Sequence, residues 1–382
     1  MFTILTTIIL IVSAFYIYQR LIPHTWSRLK RAIGLLGLLL LSMCLPAQFF
    51  IRLVTEVNSS YVLINILSYG FGFYSLLLVF TVAQHVISLP FRFIKPAKNV
   101  SNERRDFLRQ SSRAGILGAT TAVFGYAAHR ALAEPTINRI QISIDNLPAE
   151  LEGLTIGQIS DVHVGQLQNE DTYLKKIVAA VNSLNVDIMA ITGDVVDGSV
   201  ARLKNSVAPL AQIQSKLGTF YVTGNHEYYS GAVGWIEHFK TFGWHVLGNE
   251  HATLNVRGHA IVVAGVHDLK AEQRIPAHAC NPEKAFKNSP ENAQLTLLLA
   301  HHPGTSELTK NLKVDLQLSG HTHAGQYFPA TWLVQYFHKF SRGLNRNQNG
   351  WVYVNSGTGY WGPPLRTTDI SGEITHITLM RA

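Results

Sequence analysis

Val186-Asp-Ile-Met-Ala-Ile-Thr-Gly-Asp194-Val-Val-Asp197 is an apolar, β-branched run that stops at a glycine and gives way to two carboxylates. A short run of this kind, closed by glycine, reads as a buried strand. In α/β folds the working residues sit in loops beyond the carboxyl ends of such strands. The arrangement recurs along the chain. Leu154–Ser160 precedes Asp161-Val-His163, and Thr219–Thr223 precedes Gly224-Asn225-His226-Glu227. Leu295–Ala300 precedes His301-His302, and Val314–Leu318 precedes Gly320-His321-Thr-His323. Further strands are expected at Ala260–Val266, Trp351–Asn355 and Glu373–Met380, with helices over Glu170–Leu184, Val200–Leu217 and Val233–Phe242. From Ile137 onward this alternation predicts α/β layers.

Asp, His and Asn at buried strand ends are costly unless something binds them. A pair of divalent cations would satisfy all five clusters, which makes a metal-dependent hydrolase the leading expectation. Carboxylate, amide oxygen and imidazole together suit Mn, Fe, Zn or Co without choosing among them. Cys44 lies in an apolar stretch and Cys280 in the polar half, which argues against a disulfide framework or a cysteine zinc site.

Charge divides the chain. Residues 1–134 hold 13 Lys and Arg against 4 Asp and Glu, whereas 135–382 hold 19 against 20. The basic balance therefore belongs to the flanks of hydrophobic segments, and the near-neutral second half lacks the basic groove of a nucleic-acid binder. Phe2–Tyr18, Ala32–Ile51 and Tyr61–Phe91 are nearly uncharged runs. The second and third reach the roughly 20 residues that cross a bilayer core, and the first approaches it. Arg20, Arg28, Lys30 and Arg31 separate the first two, only Arg52 and Glu56 the next two, and Arg92, Lys95, Lys98, Arg104, Arg105 and Arg109 follow the third. The positive-inside rule then puts the N-terminus outside and the second half on the outer, periplasmic face of a cytoplasmic membrane.

Glu103-Arg104-Arg105-Asp106-Phe107-Leu108-Arg109, a mildly apolar stretch and Ala131-Leu-Ala133 resemble a twin-arginine export signal. The alternative is a fourth membrane helix with a basic flank. The expected organisation is a transmembrane helical region over 1–100, this signal or helix over 101–134, and the α/β domain over 135–382. Twin-arginine machinery is the partner implied by the first reading.

The ordered blocks Asp-x-His, Gly-Asp-x-x-Asp, Gly-Asn-His-Glu, His and Gly-His-x-His resemble the calcineurin-like metallophosphoesterases. Within that superfamily the chain is most similar to the membrane-associated bacterial branch and to transmembrane proteins with such a domain. The resemblance covers roughly Leu154 to the C-terminus and implies a four-layer αββα sandwich. It assigns one metal to Asp161, His163 and His323, and a second to Asn225, His301 and His321, with Asp194 bridging. It gives His226 the general-acid contact with the leaving oxygen and Asp197 the task of orienting His226. His302 remains the alternative to His301. Arg366 is either a phosphate clamp or an exposed structural residue. Asn355 is a weaker candidate, and His267-Asp268 reads as a loop near the site. Trp332 to Arg342 reads as an interfacial helix or as a core-packed amphipathic one.

The implied activity is hydrolysis of a phosphomonoester, phosphodiester or pyrophosphate on a small-molecule or lipid-linked substrate. A UDP-2,3-diacylglucosamine diphosphatase-like reaction is one alternative, although the outward topology speaks against that cytoplasmic substrate. A non-catalytic membrane receptor or scaffold predicts lost ligands, and none is lost. A nuclease and a transporter rank lower still.

Overall fold

The computed structural model describes residues 2–54, 61–92, 101–165, 170–348, 350–369 and 371–382. Its contacts divide the chain into a helical unit, Met1–His129 with Gly362–Leu365, and an α/β unit, Arg130–Trp361 with Arg366–Ala382. Glu56, Lys95 and Lys98, used in the topology argument, lie outside the described residues.

The helical unit contains α1 (Phe2–Leu21), α2 (Arg28–Ser42), α3 (Cys44–Val54), α4 (Tyr61–Ser88) and most of α5 (Asn102–Leu132). The run expected as one span from Ala32 to Ile51 is two helices, broken at Met43. Pro46 explains the break, because its ring clashes with the carbonyl four residues back and it has no N–H to donate. Leu10, Ala14, Ile17, Leu38, Tyr74 and Leu77 form the buried seam of this unit. Ile4, Ile8, Val12, Ile33, Leu36 and Leu40 stay exposed. Among the described residues, Ile4–Leu21, Arg28–Gln48 and Leu63–Ser88 are long and apolar enough to cross a membrane. α5 is not among these helices.

In the α/β unit the strands are β1 (Thr136–Ile144), β2 (Thr155–Ile159), β3 (Ile188–Thr192), β4 (Gly218–Val222), β5 (His245–Val246) and β6 (Glu250–Val256). The second set is β7 (His259–Gly265), β8 (Leu295–Leu299), β9 (Leu316–Ser319), β10 (Gly343–Asn347), β11 (Gly350–Val354) and β12 (Glu373–Arg381). The helices are α6 (Glu170–Ser183), α7 (Val200–Leu203), α8 (Asn225–Ser230), α9 (Ala232–Lys240), α10 (Pro282–Phe286) and α11 (Ala330–Phe337). Sheet I runs β1-β12-β2-β3-β4-β5 and sheet II runs β10-β11-β9-β8-β7-β6. Both are mixed: β2 through β5 are parallel, as are β7, β8, β9 and β11, with antiparallel pairs at β12–β2, β6–β7 and β10–β11.

Ile156, Ile188 and Phe220 of sheet I share a core with Ile261, Leu297 and Leu316 of sheet II, so the sheets pack face to face. The outer face of sheet I is covered by Leu174, Ile177 and Val181 of α6 and Trp235 and Phe239 of α9. The outer face of sheet II is covered around Ala285 of α10. The result is the expected α/β layering, helices outside two central sheets.

Two expectations change. The helix expected over Val200–Leu217 is only α7 followed by a 3-10 turn at Ala208–Gln212. Pro209 forbids a continuous helix there, while Leu203, Val207 and Leu210 still bury their side chains. The core-packed reading of the Trp332 helix also fails. α11 buries none of its residues, and Trp332, Leu333, Tyr336 and Phe337 are all exposed.

Candidate metal centre

β2, β3 and β4 are neighbours in sheet I, and β8 and β9 are neighbours in sheet II. Their carboxyl ends therefore bring all five clusters to one edge of the sandwich. Gln158 spans the two sheets there, its Nε2 donating to the Ser319 carbonyl at 2.9 Å. Asp161, His163, Asp194, His321 and His323 all have positive φ, between 49° and 73°. Non-glycine residues in that region carry backbone strain, which concentrates at functional sites. Gly224 and Gly320 permit the close approach. A Cβ on Gly224 would overlap Asp194 Oδ1, and one on Gly320 would overlap Ser160 Oγ and Asp161 Oδ2.

Two donor sets result. Asp161, His163 and His323 form one, and Asp194, His301 and His321 the other, each with ligand atoms within 4.8 Å of one another. In the first, His163 Nε2 faces His323 Nε2 at 3.1 Å, and His323 Nε2 lies 3.3 Å from Asp161 Oδ1. In the second, His301 Nε2 is 3.2 Å from Asp194 Oδ2 and 3.2 Å from His321 Nδ1. Asn225 Oδ1 is buried without a hydrogen-bond partner. Ring nitrogens that face one another and an orphaned amide oxygen fit bound cations, because a cation would accept all these lone pairs.

The second ring nitrogens of His301 and His163 are held by the protein, whereas His323 Nδ1 is buried without a hydrogen-bond partner. His301 Nδ1 lies 2.7 Å from the Thr192 carbonyl, so it donates there and leaves Nε2 free to ligate. His302 is turned the other way, its Nδ1 accepting from the Gly304 N–H at 2.9 Å. The geometry therefore brings His301, and not His302, into the donor set. The Asp197 carboxylate bonds two imidazoles. It accepts from His163 Nδ1 at 3.1 Å and from His226 Nδ1 through a shorter bond. His163, Asp197 and His226 also lie close enough to form a third donor group. The two Nδ1–H groups converging on one carboxylate mark it instead as a hydrogen-bonded bridge.

Burial works to raise the Asp161 carboxyl, but the His323, His301 and His163 imidazoles outweigh it and hold it well below the usual range. Asp194 is held low in the same way, chiefly by His301 and His226. Burial pulls His226 down, yet the Asp194 and Asp197 carboxylates win and raise it to about 9. Its Nε2 lies 3.9 Å from Asp194 Oδ2, beside the donor sets.

Glu227 was quoted in its motif but given no role by the sequence reading. It is fully buried and accepts from four main-chain N–H groups: Asp194 at 2.9 Å, Val195 at 2.7 Å, Val196 at 3.3 Å and Gly224 at 2.7 Å. It thereby ties the loop after β3 to the start of α8. Burial and the Asp194 carboxylate push it up to about 7. The signal was available, since a buried acid with no metal role has to hold main chain.

Arg366 is not exposed; it is fully buried. Its guanidinium donates to the carbonyls of Ser356 and Gly357 at 3.0 and 3.5 Å, and to Gly359 at 2.6 Å. Those bonds shape the loop beside Asp161 and commit the guanidinium to main-chain carbonyls. Asn355 is likewise internal, bonded to Thr375 Oγ1 at 2.9 Å and to the Gly357 N–H at 2.8 Å. His267 hydrogen-bonds Tyr228 of α8 at 3.0 Å, a loop beside the site as expected.

The polar strand ends of the two sheets thus carry paired His/Asp groups that could hold metal ions. The calcineurin-like phosphoesterase family model matches residues 154–325. The chain is 33% identical to a transmembrane protein with metallophosphoesterase domain from Danio rerio, over 98% of this chain and 88% of that one. It is 38% identical to an uncharacterized metallophosphoesterase of Helicobacter pylori, over 73% of each. A dimetal phosphatase structure from Danio rerio aligns with 13% identity and a TM-score of 0.38, covering 59% of this chain and 99% of that one, too distant to carry weight. The chain belongs to the calcineurin-like phosphoesterase family.

Proposed function

We propose that this chain is a membrane-associated phosphohydrolase that uses two divalent cations to cleave a phosphoester or phosphoanhydride. The observation that supports it most is the pair of adjacent His/Asp donor sets with an orphaned Asn225 oxygen and the His226 imidazole at their side. Asp161, His163 and His323 would hold one cation, and Asn225, His301 and His321 the other, with Asp194 shared. When bound, such cations supply Lewis-acid polarisation of the phosphoryl oxygens and a hydroxide nucleophile at neutral pH.

The chain's own residues supply the rest. As the phosphorus–oxygen bond to the leaving group breaks, that oxygen takes the proton from His226 Nε2, while water provides the new oxygen on phosphorus. Asp197 fixes the His226 ring by accepting from Nδ1–H, and Glu227 keeps Asp194 and the start of α8 in register.

We place the α/β unit on the outer face of the cytoplasmic membrane, from the charge distribution around the three apolar segments. The internal paired arginines Arg104 and Arg105 are consistent with delivery by twin-arginine machinery. The purified full-length chain, loaded in turn with Mn, Fe, Zn and Co, should hydrolyse bis(4-nitrophenyl) phosphate or 4-nitrophenyl phosphate and bind about two ions per chain. A chain that binds metal and cleaves no phosphoester would favour the scaffold reading. A C-terminal reporter fusion active only inside the cell would reverse the topology.

A further inference from the structure

Two large aromatic side chains remain exposed beside His226, although nothing in the chemistry above requires them. Tyr229 lies on α8 one turn beyond His226, with ring centroids 5.3 Å apart and planes at 66°. Trp361 approaches the same imidazole from the loop after β11, at 5.8 Å and 77°. Their exposures are 58% and 50%. A single exposed aromatic needs no explanation, but these two flank one imidazole and both are braced. The Arg274 guanidinium lies over the Tyr229 ring, 5.3 Å from its centroid. Gln326 clamps the main chain of Trp361 from both sides, accepting from its N–H at 2.8 Å and donating to its carbonyl at 2.9 Å. Gln326 is itself buried and sits at a φ of 53°, three residues past His323. A ring stacked under a guanidinium and a ring carried on fixed main chain have less freedom to lose on binding, which favours a preorganised platform.

We propose that Tyr229 and Trp361 form a leaving-group subsite for a planar ring, so that the preferred substrate is an aryl or nucleoside phosphoester. The inference rests on the assignment of His226 to the leaving oxygen. Whatever leaves must pass within reach of that imidazole, and these two exposed rings both stand against it. Stacking is tolerant of ring identity because every ring has a π-face. A flexible acyl chain would gain nothing from braced, separated rings and would call for a continuous apolar groove instead.

The test uses the full-length, manganese-loaded chain and the variants Tyr229→Ala, Trp361→Ala, Tyr229→Phe and Trp361→Phe. Each alanine variant should lower the ratio of kcat/KM for phenyl phosphate or uridine 5′-phosphate over glycerol 2-phosphate by about 10-fold. The phenylalanine variants should restore most of that ratio. The larger loss, on the phenyl or on the uridine ester, distinguishes a ring on the leaving oxygen from one spaced by a sugar. Unchanged ratios, or a dominant loss on a short-chain phosphatidic acid, overturn the subsite. A binding arm separates this outcome from failure of the phosphohydrolase reading. By titration calorimetry, phenylphosphonate should bind more tightly than methylphosphonate, and only to chains that keep both rings. If that preference holds while no ester is cleaved, the hydrolase reading falls and the ring subsite stands.

Discussion

Asp187 and Asp315 do the same work in two different sheets. Asp187, just before β3, accepts from the Thr155 N–H at 2.8 Å and the Thr155 hydroxyl at 2.7 Å, while its own N–H donates back to that hydroxyl at 3.0 Å. Asp315, just before β9, repeats this with Thr296 at 2.7, 2.8 and 3.1 Å. The far ends of the same strands are also framed alike. Asp161 N–H donates to the Gly193 carbonyl at 3.0 Å in sheet I, and Gly320 N–H donates to the His301 carbonyl at 2.9 Å in sheet II. What differs is the side chains on that frame: Asp161 and Asp194 in sheet I, His301 and His321 in sheet II. The shared residues are scaffold, and the residues that differ are chemistry. At these matched positions sheet I presents carboxylates and sheet II imidazoles, and with His163 from sheet I and His323 from sheet II they complete the two donor sets.

The largest effects should come from the side chains that differ. Asp194→Asn removes a charge set between His301, at 3.2 Å, and the His226 main-chain N–H, at 2.7 Å. Turnover of 4-nitrophenyl phosphate should fall by at least about 1000-fold, in line with losing an electrostatic element of the transition state. Bound metal, measured by elemental analysis, should fall with it. Full metal content with full loss of activity would restrict Asp194 to holding His301 and His226.

His226→Ala is expected next, lowering kcat by roughly 10²–10⁴-fold as loss of a general acid does, with metal content nearly intact. Because the carboxylates around it raise His226 to about 9, the acid form predominates at neutral pH and is lost as pH rises. Bound cations repel the imidazolium, so the alkaline limb of the rate profile should fall below about pH 9 and vanish in the variant. Metal loss in this variant would move His226 into the ligand set.

How much of this was legible in the sequence follows the same division between frame and edge. The interior strands that carry the motifs announced themselves by continuous apolar runs, because both of their faces are buried. The strands that the alternation did not delimit, β1, β5, β6 and β10, are the four edges of the two sheets. An edge strand pairs on one side only and meets solvent, so Gly343-Leu-Asn-Arg-Asn347 can be a strand with almost no apolar signal. The polar clusters were legible because burying them demands a partner. The inward turn of Arg366 and the bracing of Trp361 were not, since each depends on main-chain groups brought in by the fold rather than on neighbours in sequence.

A third, smaller effect tests the link between the β3 and β4 loops of sheet I. Glu227→Gln keeps the shape but turns an amide N–H toward main-chain donors that now bond a carboxylate. Stability to urea should drop by about 1–3 kcal/mol, and kcat/KM by roughly 10-fold as Asp194 and His226 lose register. If kcat/KM holds while stability falls, Glu227 is a fold element only.

Thr155→Val and Thr296→Val should be the mildest, since they touch only what the sheets share. Each swap preserves shape and removes the hydroxyl that bonds the aspartate twice, for a loss of roughly 1 kcal/mol by urea unfolding, with kcat within twofold of wild type. Thr296→Val should be the larger of the two. Thr296 is buried, whereas the Thr155 staple has a second support in Lys216, whose Nζ donates to Asp187 Oδ1 at 3.0 Å. The pair also differs in its response to acid. Burial works to raise Asp187, but the Thr155 N–H and hydroxyl and Lys216 hold it below its ordinary value. A lowered carboxyl contributes stability above its unfolded pKa and loses it as pH falls toward the folded one. Thr155→Val weakens what lowers Asp187, so its deficit relative to wild type should shrink on going from pH 6 to pH 3. A deficit that is constant with pH would mean that the Thr155 hydroxyl acts by packing, and the likeness between the two sheets would then be one of shape rather than of bonding.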